Sequence, residues 1–382
     1  MFVDAILERN SELVEYAIHL HQNGHILPDT YVIDVDTVLN NAKMLLDEAK
    51  SNHLKCVYMS KQFGRNAQIC RKLEEMGFDG AVAVDFKEVQ MIMDHQLKLY
   101  NVGHLVQIPN SMLRKVISYG VEYITIYSIE KAELIDSICK ELNKNQKIML
   151  KVLDSQSVIY DGQQSGFSFE ESIEIAKKIQ RLDNLVLAGV TSFPCLMYNA
   201  GTSKIEKTSN FDLVIRVKEA LELMGFTIEE VNTPSSNTIS AMSNVAFWGG
   251  TTVEPGHALT GTTPFHAKFF QGENIAICYV SEISHHYNKQ SYCFGGGHYR
   301  RSNMSKAIIA HKQDRLITSI AGPAQENIDY HFVMSGIHPI GSTVVASFRT
   351  QIFTTRSYVV LVENLKSNPK IIGTFDSQGR KL

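Results

Sequence analysis

Lys61 is the side chain of this 382-residue sequence best suited to covalent chemistry. It closes the apolar run of KCVYMSKQFGRN, residues 55–66, in which Val57 and Tyr58 favour a strand, Gly64 a tight turn and residues 66–76 a helix. A lysine at the point where a buried parallel strand runs out is costly to keep as a bare cation. Desolvation there lowers its pKa toward the neutral amine that a Schiff-base nucleophile needs. The alternative is a strand-end lysine that snorkels to solvent. Two loops supply the rest of a site. NTPSSNT, residues 232–238, sets Ser235 and Ser236 before a helix, where hydroxyls and backbone amides can hold a dianion or simply cap the helix. VEPGHALTG, residues 253–261, contains Gly256, which allows close approach of backbone to a ligand.

Holding these residues together takes a rhythm of strands and helices. Apolar strands are predicted at about 57–60, 80–84, 99–103, 123–127, 147–153, 185–192, 228–233 and 251–254. Between them lie helices such as 87–95, 110–119, 130–143, 169–181, 209–224 and 238–245. Eight such units, with strands apolar almost throughout, predict an α/β fold: a closed (β/α)8 TIM-type barrel rather than an open sheet. In such a barrel the active site lies at the carboxyl ends of the strands, and the loops after the last two strands commonly grip a phosphate. Ser235, Ser236 and Gly256 fall in those two loops.

Residues 1–26 carry the spacing of one amphipathic helix, and TYVIDVD, residues 30–36, reads as a strand with Asp36 capping a helix over 37–49. Beyond Gly261 the pattern turns to β, with segments such as NIAICYVSEISHHY and STVVASFRTQIFTT. The expected organisation is a barrel over residues 27–261 and a C-terminal β-rich domain over 262–382, with residues 1–26 packing against the latter.

The formal net charge of −3 and the dispersed Lys and Arg residues argue against nucleic acid and against a polybasic membrane contact. No apolar run reaches the roughly 18 residues of a spanning helix, and the acidic start lacks the pattern of a signal peptide, so the expectation is a cytoplasmic protein with no membrane partner. The six cysteines form no CxxC pair and read as reduced core residues. His266, His285, His286 and His298 fit no standard ligand spacing, so no metal is expected.

These motifs resemble the alanine-racemase-like, fold-type III enzymes that use pyridoxal 5'-phosphate (PLP). SKQFGRN, GVTSFPCLMYN, NTPSSNT, CFGGGHYRRS and SFRTQIFTTRS are similar in wording to the YhfX-type branch, known mostly as predicted amino-acid racemases. The resemblance implies that Lys61 holds PLP covalently, that Ser235, Ser236, Gly256 and His257 bind its phosphate, and that Glu254 faces the pyridine nitrogen. Alanine racemases place an arginine at that last position, whereas fold-type III decarboxylases share the Glu-Pro-Gly choice. A carboxylate there favours a protonated ring, a strong sink for a carbanion at the substrate α-carbon.

Racemisation also needs an acid/base on the face opposite Lys61, which in this family comes from the β domain of a second subunit. Tyr292 and Cys293 are the candidates, with His298 and Tyr299 close behind, and strand alternation puts 292 and 293 on opposite faces. A homodimer acting on an amino acid follows. Two departures from the family pattern stand out. Gln163 or Gln164 occupies the neighbourhood of a racemase arginine, and Arg65 replaces the tyrosine expected after the lysine, where it could pair with phosphate or a substrate carboxylate. An amino-acid racemase is the leading reading, with a decarboxylase or lyase of the same fold, or a non-enzymatic PLP carrier, as alternatives.

Overall fold

The computed structural model describes every residue except Met1, Phe270 and Gln325. Its contacts form two units, a discontinuous one of Met1–Lys43, Lys61–Ile69 and His257–Leu382, and a barrel unit of Met44–Ser60 and Cys70–Gly256.

The discontinuous unit opens with two helices, Phe2–Arg9 and Ser11–Gln22, where the apolar spacing predicts one. Asn10 divides them. Its Oδ1 accepts from the Leu13 amide at 3.4 Å, and its Nδ2 donates to Asp34 Oδ2 and to the Ile275 carbonyl, each at 3.0 Å. The amide thus caps a second helix instead of sitting inside the first. Strand β1 (Thr30–Asp34) follows. Asp34, rather than Asp36, caps the helix Val35–Ser51, accepting from the Thr37 amide at 3.2 Å. Asp36 falls inside the first helical turn, where its charge still suits the positive end of the dipole.

The barrel unit carries β2 (Lys55–Cys56), β3 (Ala81–Val82), β4 (Leu99–Val102), β5 (Tyr123–Ile126), β6 (Gln146–Lys151), β7 (Leu185–Thr191), β8 (Leu196–Asn199), β9 (Lys204–Lys207), β10 (Glu230–Asn232) and β11 (Thr252–Val253). Eight of these form one parallel sheet in the order β2-β11-β10-β7-β6-β5-β4-β3. Its edges join where the Tyr58 amide donates to Gly80 O at 3.0 Å and the Val82 amide to Tyr58 O at 2.9 Å. Val57, Met59, Val82, Tyr100, Tyr123, Met149 and Ala188 fill the interior. The hairpin β8–β9 is an insertion after β7 that no sequence pattern announces.

The remaining strands are β12 (Ile277–Tyr287), β13 (Gln290–Phe294), β14 (Lys306–His311), β15 (Asp314–Ala321), β16 (His331–Ser335), β17 (Thr343–Ala346), β18 (Tyr358–Glu363) and β19 (Lys370–Phe375). With β1 they form a sheet ordered β13-β16-β15-β14-β17-β12-β1-β18-β19, and a further β13–β12 pairing closes six of them into a ring. Within this sheet β1 lies antiparallel to β12 and parallel to β18, with Thr30 opposite both Val280 and Tyr358. The two N-terminal helices bury Phe2, Val3, Ile6, Leu13, Val14 and Ile18 against Val280, Ile308, Val345 and Val360. Full burial of each large aliphatic stabilises by about 1.5–3 kcal/mol. No helix among the described residues is long and apolar enough to cross a membrane.

Candidate active site

Lys61 starts a 3-10 turn, Lys61–Phe63, and is 7% exposed. The strand ahead of it, β2, ends at Cys56, so an extended segment rather than regular strand leads into the turn. Gly64 follows at φ +71, and a Cβ there would press within 3.1 Å of Ile352 and 3.2 Å of Val359 side-chain atoms, so both conformation and space call for glycine.

Within the same unit, His257 is held by a polar cluster. Its Nε2 accepts from Arg349 Nε and from Gln351 Nε2, both at 3.2 Å, which leaves Nδ1 as the protonated nitrogen, 3.1 Å from Thr262 Oγ1. Burial, with the positive charges of Arg349 and Lys61 nearby, holds the imidazole well below its ordinary pKa. His257 is therefore a neutral acceptor near Lys61. Arg349 is a site residue that the sequence pattern did not single out, although SFRTQIF contains it.

Arg65 adopts φ +54 and is 2% exposed. Its Nη1 donates to Gln378 Oε1 at 2.8 Å and its guanidinium lies 4.8 Å from the Phe353 ring centre. These contacts tie the Lys61 turn to the C-terminal segment.

The candidates on β13 face opposite ways. Cys293 is fully buried, and burial pushes its thiol up to about 12. Tyr292 is half-buried and stacks on His285, with ring centres 4.8 Å apart. His298 is also half-buried, and burial lowers its pKa. Tyr299 accepts from Arg301 Nε at 2.9 Å through its hydroxyl, and Arg349 lies 5.9 Å from its ring centre.

The barrel unit holds the other candidates. Glu254, 3% exposed, follows β11, and its Oε2 accepts from Asn232 Nδ2 at 3.0 Å. Asn237 Oδ1 accepts from the Glu254 amide at 3.0 Å while its Nδ2 donates to Thr233 O at 3.0 Å, which links the loops after β10 and β11. Ser235 and Ser236 take φ +84 and +47. Two successive left-handed residues with a Cβ are strained, a feature that clusters at ligand-binding turns. The helix that follows, Ile239–Phe247, begins at Thr238, which makes no side-chain capping bond. The Ala241 amide donates to Thr238 O at 3.0 Å, and the positive end of the helix dipole follows directly on the serine turn.

A row of polar residues crosses the carboxyl ends of three barrel strands. Lys151 on β6 lies opposite Thr191 on β7, and Thr191 opposite Asn232 on β10. All three are buried, and neither Thr191 Oγ1 nor Asn232 Oδ1 has a hydrogen-bond partner among the described residues. Buried polar atoms of this kind are normally satisfied, so their lack of partners marks a place for a ligand. Lys151 Nζ donates to Ser165 Oγ at 2.8 Å and lies 5.6 Å from the Tyr127 ring centre. Gln163 and Gln164 sit on the loop that carries Ser165, partly or largely exposed.

The family model for the alanine racemase N-terminal domain matches residues 33–264, and that for the YhfX-like C-terminal domain matches residues 278–371. Among known proteins, an uncharacterized protein, YhfX of Escherichia coli (strain K12), is 39% identical over the full length of both chains. The structure is similar to that of D-threonine aldolase from Filomicrobium marinum, with a TM-score of 0.67 at 12% identity over 92% of this chain and 95% of that one. It is also similar to an alanine racemase of Clostridium difficile 630 in complex with cycloserine, with a TM-score of 0.62 at 16% identity over 92% and 99% of the two chains.

Proposed function

We propose, from the premise that the chain belongs to the alanine racemase N-terminal domain family and is closely related to YhfX, that it is a PLP-dependent amino-acid racemase working as a homodimer. One observation carries the cofactor: the left-handed Ser235–Ser236 turn leads into the N-terminus of a helix whose cap residue, Thr238, makes no side-chain capping bond. That arrangement suits a phosphate dianion. The partnerless Thr191 Oγ1 and Asn232 Oδ1 add polar atoms that a polar, planar group can satisfy.

PLP, when bound, supplies an electron sink for charge left at the substrate α-carbon. The roles of the chain's own residues follow from their chemistry. Lys61, desolvated at its turn, is the amine that holds the cofactor and the base for one face of the substrate. His257, neutral and acceptor-only at Nε2, orients Arg349 and Gln351 without adding a positive charge beside the lysine. Glu254, steadied by Asn232, keeps a proton on the ring nitrogen, since an opposite charge in hydrogen-bond reach favours the charged form. Tyr292 from the second subunit is the proton carrier for the other face.

A second reading, cleavage of a bond at the α-carbon as in a lyase, gains from the sealing of Cys293. Cleavage needs one acid/base where racemisation needs two, and burial with a raised thiol pKa removes one of the two candidates for the second.

The test begins with purified protein and added PLP. A visible absorbance that borohydride abolishes, with the reduced pyridoxyl group mapping to Lys61 and lost in Lys61→Ala, is the expected result; a label elsewhere overturns the assignment. Glu254→Gln should retain the absorbance and slow exchange of the substrate α-proton by about 10²-fold, the scale of one preorganised charge contact. Following product chirality alongside bond cleavage for a panel of amino acids then separates racemase from lyase.

A further inference from the structure

Lys151 is a buried lysine of the barrel unit, and no part of the chemistry above uses it. It ends β6 and is 1% exposed, yet the hydroxyl of Ser165 is the one hydrogen-bond acceptor its ammonium finds among the described residues. An ammonium has three protons to donate. Burying it with two of them unmet is costly unless a ligand completes the set.

The neighbouring strands show where that ligand would lie. An added Cβ at Gly189 would collide with the Met149 side chain and come within 2.9 Å of Glu230 Cβ, so these three positions share one face of the sheet. Met149 belongs to the interior cluster of the barrel. Two residues further along each strand the side chains return to the same face, and those residues are Lys151, Thr191 and Asn232. The row therefore points inward at the carboxyl ends of the strands, with an ammonium and a hydroxyl as donors and the Asn232 carbonyl oxygen as acceptor.

Resting on the proposed PLP reading, we infer that Lys151 anchors the carboxylate of the amino-acid substrate, with the Thr191 hydroxyl as the neighbouring donor. The glutamines at 163 and 164 cannot carry a charge, and Lys151 is the buried cation that the three-strand row supplies. Around it lie Ser165, the Tyr127 ring and, in register on the next strands, Thr191 and Asn232, with no carboxylate hydrogen-bonded to the amine among the described residues. Burial in these surroundings lowers its pKa to about 8. The ammonium therefore prevails at neutral pH and fades as pH rises through that value.

Two carbonyl reagents that differ in a carboxylate test this without knowledge of the substrate. Full-length protein loaded with PLP is treated with aminooxyacetate or with methoxyamine, and the loss of visible absorbance is timed. The wild type should favour aminooxyacetate; Lys151→Met should lose that preference by about tenfold or more, the scale of a hydrogen bond to a charged group, and Lys151→Arg should keep much of it. An unchanged preference in Lys151→Met that still absorbs overturns this inference alone. A wild type with no visible absorbance overturns the cofactor reading and this inference with it. Should Lys151→Met fail to fold, the wild-type pH profile decides: the preference must decline as pH rises through about 8, and a flat profile refutes the anchor. An intact mass showing a carbon dioxide adduct on Lys151 also refutes it, because the amine is then spent.

Discussion

Single residues in this protein carry environments that set their protonation, and Asp29 shows it away from the candidate site. It is held at φ +64, and its Oδ1 accepts from Tyr279 Oη at 3.1 Å and from the Ser357 hydroxyl. Burial pushes its carboxyl from 3.8 up to about 6, although both hydrogen bonds oppose the rise. Between these values the folded chain keeps a proton that the unfolded chain has released, so this group's contribution to stability falls as pH rises from about 4 to about 6 and is level above that. The gap corresponds to at most about 3 kcal/mol. Asn tolerates a left-handed backbone and keeps the Oδ1 acceptor, so Asp29→Asn should remove this slope and gain about 1–3 kcal/mol above pH 6. Urea midpoints measured across that range by circular dichroism check it; a variant with the wild-type slope refutes the assignment. Lys151 is the converse case, a buried cation whose contribution grows from pH 8 toward the ordinary lysine value of 10.5, because there the unfolded chain holds the extra proton.

At the scale of elements, the barrel strands bring a glycine on β7 against side chains from both neighbouring strands. Gly189→Ala forces a methyl into Met149 and Glu230, an overpacking that costs about 1–3 kcal/mol. Trp248, the one tryptophan of the chain, lies in the barrel unit, so a lowered urea midpoint in its fluorescence is the expected signature. Seven of the eight barrel strands and their helices were legible in the sequence because each strand is a short apolar run and each helix repeats its apolar residues near every fourth position; the first strand was expected at 57–60 and lies at 55–56. The residues 196–199 and 204–207 were not, since that hairpin is half-exposed and its second strand is KIEK, which has no buried face to write an alternation. Asn10 was hidden inside a helical spacing because the acceptors that fix its side-chain amide, Asp34 and Ile275, lie far along the chain. The same limit applies to the site. Lys61, the serine pair and Glu254 sit in local motifs that resemble a family, whereas the Lys151–Thr191–Asn232 row exists only through register between strands. Local pattern is blind to register.

For the whole molecule, the expected homodimer has a surface to account for. Ile328, Tyr330, Ile337 and Ile340, all in the β-rich part of the discontinuous unit, are 60%, 66%, 56% and 62% exposed. Apolar surface of that density commonly marks an interface, and a second copy of the chain is the occupant that the family reading supplies. Sedimentation should show a dimer for the wild type, and Ile337→Asp with Ile340→Asp should shift it to monomer with loss of turnover. A fully active wild-type monomer refutes the shared site.

The placement of β1 between β12 and β18 also bears on how the protein is made. Thr30 pairs with Tyr358, so a strand that leaves the ribosome among the first must wait for one that leaves among the last. The barrel unit has no such debt, because its strands all lie between residues 55 and 253. During synthesis the barrel can close while Thr30–Asp34 stays an unpaired edge, the kind of segment that chaperones cover and that aggregates when synthesis is cut short. A ribosome stalled after the barrel therefore releases a chain whose lysine turn is made and whose support for it is not.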